Sequence, residues 1–267
     1  MSTNIILFGH TGMLGRYVYS YFKNIRAVRG FRVTNKTTIS DIETILLDHG
    51  INESTCVINC IGAIPQRDQT PLNYYTVNSL FPHLLWSVCQ KYKCRMIQPT
   101  TDCVFSGTRG MYTECDEHNE SGHYGLSKSL GEPAGCTVLR TSIIGEEISN
   151  KKSFLEFVKN SSGSIQGWTN HMWNGITCLE YCKVIEKIMA ENLFWTGVRH
   201  VASPTAASKY ELACMVKDVF ECSITIVAIE GPSACDKTLT SVHSPLFTIP
   251  ELRVQITDLR KFTLLDV

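Results

Sequence analysis

The 267-residue chain is predicted to fold as an α/β protein, a doubly wound parallel sheet followed by a smaller portion. Three observations predict this. An apolar strand runs into a glycine-punctuated turn at the N-terminus. Short apolar runs then alternate with amphipathic ones as far as residue 142, and that rhythm loosens after Ile148. Asn4–Phe8 reads as the first strand and residues 13–23 as the first helix, with Leu14, Val18 and Phe22 on one face. Residues 31–34 read as the second strand. Ser40 or Asp41 caps a helix running to His49, where Gly50 stops it. Residues 56–61 form a buried strand, and 75–93 a long helix that Pro82 either kinks or starts. Arg95–Thr101 is the next strand, 124–131 a helix and 137–142 a further strand. Beyond lie polar loops, short strands and two helices, Cys178–Ala190 and 208–220. The expected division is therefore 1–148 and 149–267, the second part interleaved with the last strands of the sheet.

The first turn is the most informative stretch. Gly9-His10-Thr11-Gly12-Met13-Leu14-Gly15 places three glycines at three-residue spacing between a strand and a helix. A helix entered this way leaves its first N–H groups unpaired and pointing outward, which makes an anion site. Gly9 makes the turn, Gly12 lets a phosphate approach and Gly15 lets the helix pack on the sheet, with Thr11, Met13 and Leu14 completing the loop. This is the dinucleotide-binding turn of a Rossmann-type sheet, one residue longer in its first gap than the simplest fingerprint. Between Ile25 and Lys36 there is no carboxylate, only Arg26, Arg29, Arg32 and Lys36. An acidic residue there suits NADH, whereas cations accommodate a 2′-phosphate. Arg29 and Arg32 therefore point to NADPH.

Composition narrows the partners. A formal net charge of zero gives no field for nucleic acid or an acidic membrane. The longest apolar run, 56–65, is too short to span a bilayer, and the N-terminus leads straight into a strand with no signal peptide expected. The 12 cysteines are scattered, with no C-x-x-C; Cys178 and Cys182 have no ligand-spaced partners, so no metal is expected. Reduced thiols in a cytoplasmic protein are the expectation.

Tyr124-Gly125-Leu126-Ser127-Lys128 sets a phenol and an ammonium one helical turn apart. A phenol titrates near pH 10, and a nearby ammonium is expected to stabilise the phenolate and lower that pKa, easing proton exchange with a substrate carbonyl. Tyr19 and Lys23 share that spacing but lie far along the first helix and read as structural. What distinguishes Tyr124 and Lys128 is the strand end upstream, Thr100-Thr101-Asp102-Cys103-Val104-Phe105-Ser106-Gly107, whose hydroxyls face the same crevice. Taken with the glycine turn, these segments resemble the extended short-chain dehydrogenase/reductases, and among them the dTDP-4-dehydrorhamnose reductases and related nucleotide-sugar reductases. The matched motifs span residues 4–142, with weaker similarity near His200-Val201-Ala202-Ser203 and Ser208-Lys209-Tyr210-Glu211-Leu212.

The resemblance implies a catalytic triad of Thr101, Tyr124 and Lys128. It implies that Asn59, Cys60, Ile61 and Gly62 line the cofactor, with Asn78 behind the active site. The implied activity is NADPH-dependent reduction of the 4-keto group of a nucleotide-linked 4-keto-6-deoxy sugar. Tyr124 would give a proton to the oxygen where charge builds, Thr101 would orient that oxygen, and Lys128 would hold the cofactor ribose. Asp102 either binds a sugar hydroxyl or caps the loop. Trp168 and Trp173, in a predicted polar loop with Asn174, could stack on a base or sugar, and Arg67 could reach a substrate pyrophosphate. Three departures from the family pattern concern the substrate side: Cys103 stands where the reductases carry Tyr, the loop from Thr101 to Tyr124 is slightly short, and the C-terminal part is small. Cys103 admits an alternative, a bifunctional 3,5-epimerase/4-reductase with a cysteine base and His171 as the acid. A further alternative is a non-catalytic NADP-binding regulatory subunit like the β subunit of methionine adenosyltransferase. A homodimer is compatible with all three.

Overall fold

A computed structural model describes residues 4–67, 69–147 and 151–266. The expected boundary at 148/149 falls outside the described residues. In chain order the first half contains β1 (Asn4–Phe8), α1 (Met13–Tyr21), β2 (Ile25–Ala27), α2 (Ile39–Asp48), β3 (Thr55–Asn59), α3 (Pro71–Tyr74), α4 (Phe81–Lys91), β4 (Arg95–Thr101), α5 (His123–Leu130), β5 (Thr137–Thr141) and β6 (Ile143–Ile144). The second half adds α6 (Phe154–Asn160), β7 (Gly163–Trp168), β8 (His171–Trp173), β9 (Ile176–Thr177), α7 (Cys178–Ala190), β10 (Gly197–His200), β11 (Ala207–Ser208), α8 (Lys209–Phe220), β12 (Ile224–Ile229), β13 (Cys235–Asp236) and α9 (Leu252–Lys261).

Six strands form one parallel sheet in the order β10-β5-β4-β3-β1-β2. Buried apolar side chains cover both faces, Ile5, Leu7, Ile58 and Leu139 on one side and Ile6, Phe8, Val57 and Val138 on the other. The strand order reverses between β1 and β3, and ligands of open parallel sheets bind outside the carboxyl ends of the strands at such a point. The loops leaving those two strands, from Gly9 and from Cys60, therefore meet at the switch.

Three expectations need correcting. The second strand is Ile25–Ala27, not 31–34. Phe31 does enter the core, with its ring 5.7 Å from those of Phe8 and Phe81, but it packs there without joining the ladder. The cap of α2 is Thr38, whose hydroxyl accepts from the Asp41 N–H while the Asp41 carboxylate accepts from the Thr38 N–H. The long helix over 75–93 is two pieces. A π-helical turn, Tyr75–Leu80, leads into α4, and Pro82 marks the start of the regular helix.

Beyond β6 the chain builds small sheets: β11-β8-β13, β12-β7 and β6-β9. The predicted tryptophan loop is in fact β7, a two-residue link and β8. Asn174 ties this region to the distant Leu239: its Nδ2 donates to the Leu239 carbonyl at 2.8 Å and its Oδ1 accepts from the Leu239 N–H at 2.9 Å. Among the described residues no helix is long and apolar enough to cross a membrane.

Candidate active site

The turn after β1 is shaped by close contact. Gly9 adopts φ +80°, and a Cβ there would lie 2.7 Å from the Cys60 carbonyl carbon, so the two switch-point loops touch backbone to backbone. A Cβ on Gly15 would lie 2.0 Å from the Gly9 oxygen, which fixes how α1 leaves the turn. Gly12 differs: a Cβ there would meet nothing closer than 3.5 Å. Its smallness leaves room on the side facing away from the protein.

Gly12 is the N-cap of α1 and gives no side-chain cap, whereas α2, α6, α7 and α8 all have Ser or Thr caps. The first N–H groups of α1 are thus available to an anion. Thr11, Gly12 and Met13 line a concavity there with Arg16, Arg67, Glu146 and Glu147. The buried Arg16 Nε has no hydrogen-bond partner. An uncapped helix end beside an unpaired guanidinium nitrogen fits a phosphate. Leu14 and Gly15, expected among the binding residues, can offer only backbone, because the Leu14 side chain packs in the core and Gly15 against Gly9. Arg67, expected at a substrate pyrophosphate, lines this concavity instead.

Arg29 follows the end of β2, donates to the Tyr19 hydroxyl at 3.2 Å and lies over that ring. Tyr19 is thus structural in a specific way: it holds Arg29 beside the turn. His10, buried in the turn, has its pKa lowered by burial and then by the charge of Arg29, which puts both at the same place. Arg32 is exposed on the following loop.

The second part of the site is built on β3, the π-turn, β4 and α5. Asn59 is 1 % exposed and shapes the loop after β3: its Oδ1 accepts from the Ile61 N–H at 3.1 Å and its Nδ2 donates to Gln98 at 2.8 Å. The π-turn presents Asn78, a role typical of such irregular turns. Asn78 clamps three pieces together, accepting from Ala63 N–H at 2.8 Å and donating to the Ala63 carbonyl at 2.9 Å and the Ser127 hydroxyl at 3.1 Å. With its amide engaged and 2 % exposed, Asn78 positions the loop after β3 and has no free group to offer a ligand. Lys128 then reaches that loop, since its Nζ would lie 3.3 Å from a Cβ on Gly62. Burial lowers its pKa to about 8, against the opposing charge of Glu132 and the thiols of Cys60 and Cys103.

Thr101 ends β4 with its hydroxyl accepting from the Cys103 N–H at 3.1 Å and donating to Asp102 Oδ1 at 3.0 Å. Tyr124 stands against this strand end, where a Cβ on the adjacent Gly125 would come 2.4 Å from the Cys103 carbonyl oxygen. Burial raises the Tyr124 pKa, Cys103 and Asp102 add to the rise, and the Thr101 hydroxyl opposes it. The expectation of an acidified phenol needs correcting: the structure holds it firmly protonated. Thr101, Tyr124 and Lys128 thus converge at the C-terminal edge of the sheet, with the loop from Cys60 to Gly62 beside them. They can orient a carbonyl and deliver a proton to it.

The substrate side departs further from expectation. Trp173 is 3 % exposed and packs in the core rather than offering a free stacking face, with the Lys209 ammonium 5.4 Å from its ring centre, and Asn174 is tied to Leu239. Trp168 is 39 % exposed, with its ring 4.4 Å from that of His171. His171 is engaged at Nε2 with the Ser233 carbonyl at 2.9 Å. Burial, followed by the charge of Asp102, pushes the Cys103 thiol up to about 12, opposite to what a thiolate base requires. The sequence reading missed Lys209, Lys237 and Glu120. Glu120 accepts from the N–H groups of Ser121 and Gly122 at the start of α5 and pairs with Lys237 at 3.2 Å. Lys209 faces Asp102 and Cys103. A signal for it existed, since a lysine in the first turn of a helix opposes the helix dipole. Among the described residues no group of three or more His, Cys, Asp or Glu side chains could hold a metal ion.

This is an α/β protein with an uncapped glycine turn and a Thr–Tyr–Lys cluster at the switch point of its sheet. The family defined by the RmlD substrate binding domain matches residues 3–165, and the chain belongs to that family. The fold is shared with dTDP-4-dehydrorhamnose reductase from Bacillus anthracis, solved in complex with NADP, at a TM-score of 0.81 and 16% identity, covering 97% of this chain and 99% of that one. It is also shared with UDP-N-acetylglucosamine 4-epimerase from Methanobrevibacter ruminantium, solved with UDP-N-acetylmuramic acid, at 0.73 and 17% identity over 97% of each chain. Among curated proteins the chain is similar to the methionine adenosyltransferase 2 subunit beta of Rattus norvegicus, 25% identical over 82% of this chain and 72% of that one. The Xenopus tropicalis subunit is 24% identical over 80% and 71%.

Proposed function

We propose that this protein is an NADPH-dependent reductase of a nucleotide-linked 4-keto-6-deoxy sugar. The observation that carries the proposal is the convergence of Thr101, Tyr124 and Lys128 beside the loop from Cys60 to Gly62. The uncapped N-terminus of α1, with the unpaired Arg16 Nε, fits the pyrophosphate of the cofactor. When bound, the dinucleotide supplies the hydride. Lys128 holds the ribose hydroxyls, and Arg29 receives the 2′-phosphate. Thr101 turns its hydroxyl from Asp102 toward the keto oxygen, which leaves the Asp102 carboxylate free to accept from a sugar hydroxyl. Tyr124 donates its proton to that oxygen as charge develops there. A developing alkoxide is a stronger base than a phenolate, so a phenol held protonated is a competent donor. Solvent returns the proton to Tyr124. The protonated Cys103 favours simple reduction over epimerisation.

A second reading, a non-catalytic dinucleotide-binding subunit, is favoured by the similarity to the methionine adenosyltransferase 2 β subunits. A panel of dTDP-, UDP- and GDP-linked 4-keto-6-deoxy sugars, followed by NADPH consumption, separates the two. Turnover with at least one sugar is expected. Tight NADPH binding with no turnover on any would favour the second reading.

A further inference from the structure

The C-terminal portion brings into the crevice a cation that no anion meets. Lys209 is the first residue of α8, directly after Ser208, whose capping box with Glu211 starts that helix. A lysine is disfavoured there, because the first turn of a helix already carries partial positive charge. Its ammonium lies 5.4 Å from the ring centre of Trp173 and 5.0 Å from that of Phe154, so two aromatic faces fix it. Asp102, Cys103 and Cys235 lie within electrostatic reach. Yet Asp102 accepts from Thr101, and Lys237 already has Glu120 at 3.2 Å. Among the described residues Lys209 has neither a carboxylate at ion-pair distance nor a hydrogen-bond acceptor. The other cations of the site are placed elsewhere, Lys128 beside Gly62 and Arg16 and Arg67 at the start of α1.

An ammonium held half-buried against ring faces, with no hydrogen-bond partner from the protein among the described residues, is free to exchange water for an arriving oxyanion. We infer that Lys209 takes an oxyanion of the substrate, the diphosphate that joins sugar to nucleoside. Trp173 positions it from beneath. Lys209 approaches from the C-terminal portion, on the Asp102–Cys103 side, while Lys128 and the glycine turn serve the other side. This inference rests on the nucleotide-sugar reading above.

The test is calorimetric binding of uridine, UDP, UDP-glucose and UDP-glucuronate, and of thymidine and dTDP, to the full chain loaded with NADPH. Wild type, Lys209→Met and Lys209→Arg are compared. Lys209→Met should lose at least about tenfold in affinity, the usual scale for a charge-assisted hydrogen bond, and Lys209→Arg should recover most of it. UDP or dTDP and both sugar nucleotides should weaken together while the nucleosides do not. Weakening of UDP-glucuronate alone would assign Lys209 to a sugar carboxylate, which a 6-deoxy sugar lacks, and would overturn the inference. NADPH affinity should stay unchanged in both variants. Wild-type affinities for all six probes in Lys209→Met would overturn the inference and leave the reductase reading intact. Failure of the wild type to bind any of these probes or GDP, with NADPH still bound, would overturn both. Lower melting temperature and lost NADPH binding in both variants would mark a structural role and also overturn it.

Discussion

The glycine turn after β1 and the small sheet β11-β8-β13 bound the same crevice, but they are specified differently. The turn is a matter of neighbours: Gly9, Gly12 and Gly15 lie within one loop and the first turn of one helix. The small sheet joins His171 to Cys235 and Met172 to both Ser208 and Asp236. It is carried on to Gly107, whose carbonyl accepts from the Asp236 N–H at 2.7 Å. The side proposed for the dinucleotide is therefore written locally and the side proposed for the substrate by pairings distant in sequence. Local geometry of this kind constrains residue type at single positions, whereas long-range pairing leaves the crevice-facing side chains free to differ. Lys209 and Cys103 stand on that freer side.

The sharpest test of this contrast lies within the turn itself. Gly15→Ala forces a Cβ into the Gly9 carbonyl at 2.0 Å, so it should destabilise the fold by about 1–3 kcal/mol, read from a urea midpoint. Gly12→Ala meets no protein atom closer than 3.5 Å. It should cost only a few tenths of a kcal/mol, about the difference between Gly and Ala at an N-cap or slightly more, yet weaken NADPH binding. Equal losses of stability in the two variants would break the distinction between a packing glycine and a ligand-facing one.

Cofactor choice gives the next effect in size. Arg29→Ala should weaken NADPH by about tenfold, some 1.4 kcal/mol, and leave NADH unchanged in fluorescence titration. An equal fall for both would place Arg29 away from the 2′-phosphate.

A smaller effect comes from the network that holds the substrate side to the sheet. His200 Nδ1 donates to the Thr240 carbonyl at 2.7 Å, and its Nε2 accepts from the buried Arg140 at 2.9 Å. Burial first, and then the Arg140 charge, lowers its pKa from 6.5. The unfolded chain takes up this proton more readily than the folded one. The contribution is therefore fully present above about pH 6.5 and is lost as pH falls from there through the folded value. The urea midpoint should drop between neutral and mildly acidic pH, and less so in His200→Gln. An identical drop in that variant would assign the acid sensitivity elsewhere.

The same contrast explains what was legible in the sequence. The strand–glycine–helix signal and the spacing of Tyr124 and Lys128 are local, and the structure brings their residues to one edge of the sheet. The irregular turn that presents Asn78 was read as plain helix, because periodicity does not report a π-turn. Phe31 and Val33 looked like strand because they are apolar and alternate with polar residues, and both do pack on the core, but ladder pairing fell to Ile25–Ala27. Asn174 was read as a substrate contact although its partner, Leu239, lies 65 residues away, beyond any local pattern. The raised pKa of Tyr124 follows from burial beside Cys103 and Asp102, against the opposing Thr101 hydroxyl, which only the fold reveals.

The central claim is that Tyr124 delivers the proton, and Tyr124→Phe tests it most directly. On whichever nucleotide 4-keto sugar the wild type reduces, turnover should fall at least about a hundredfold, with NADPH affinity unchanged, while Tyr19→Phe, which removes only the hydroxyl that holds Arg29, keeps its turnover at saturating NADPH. Substantial activity in Tyr124→Phe would contradict the account and remove the Thr101–Tyr124–Lys128 cluster from the chemistry.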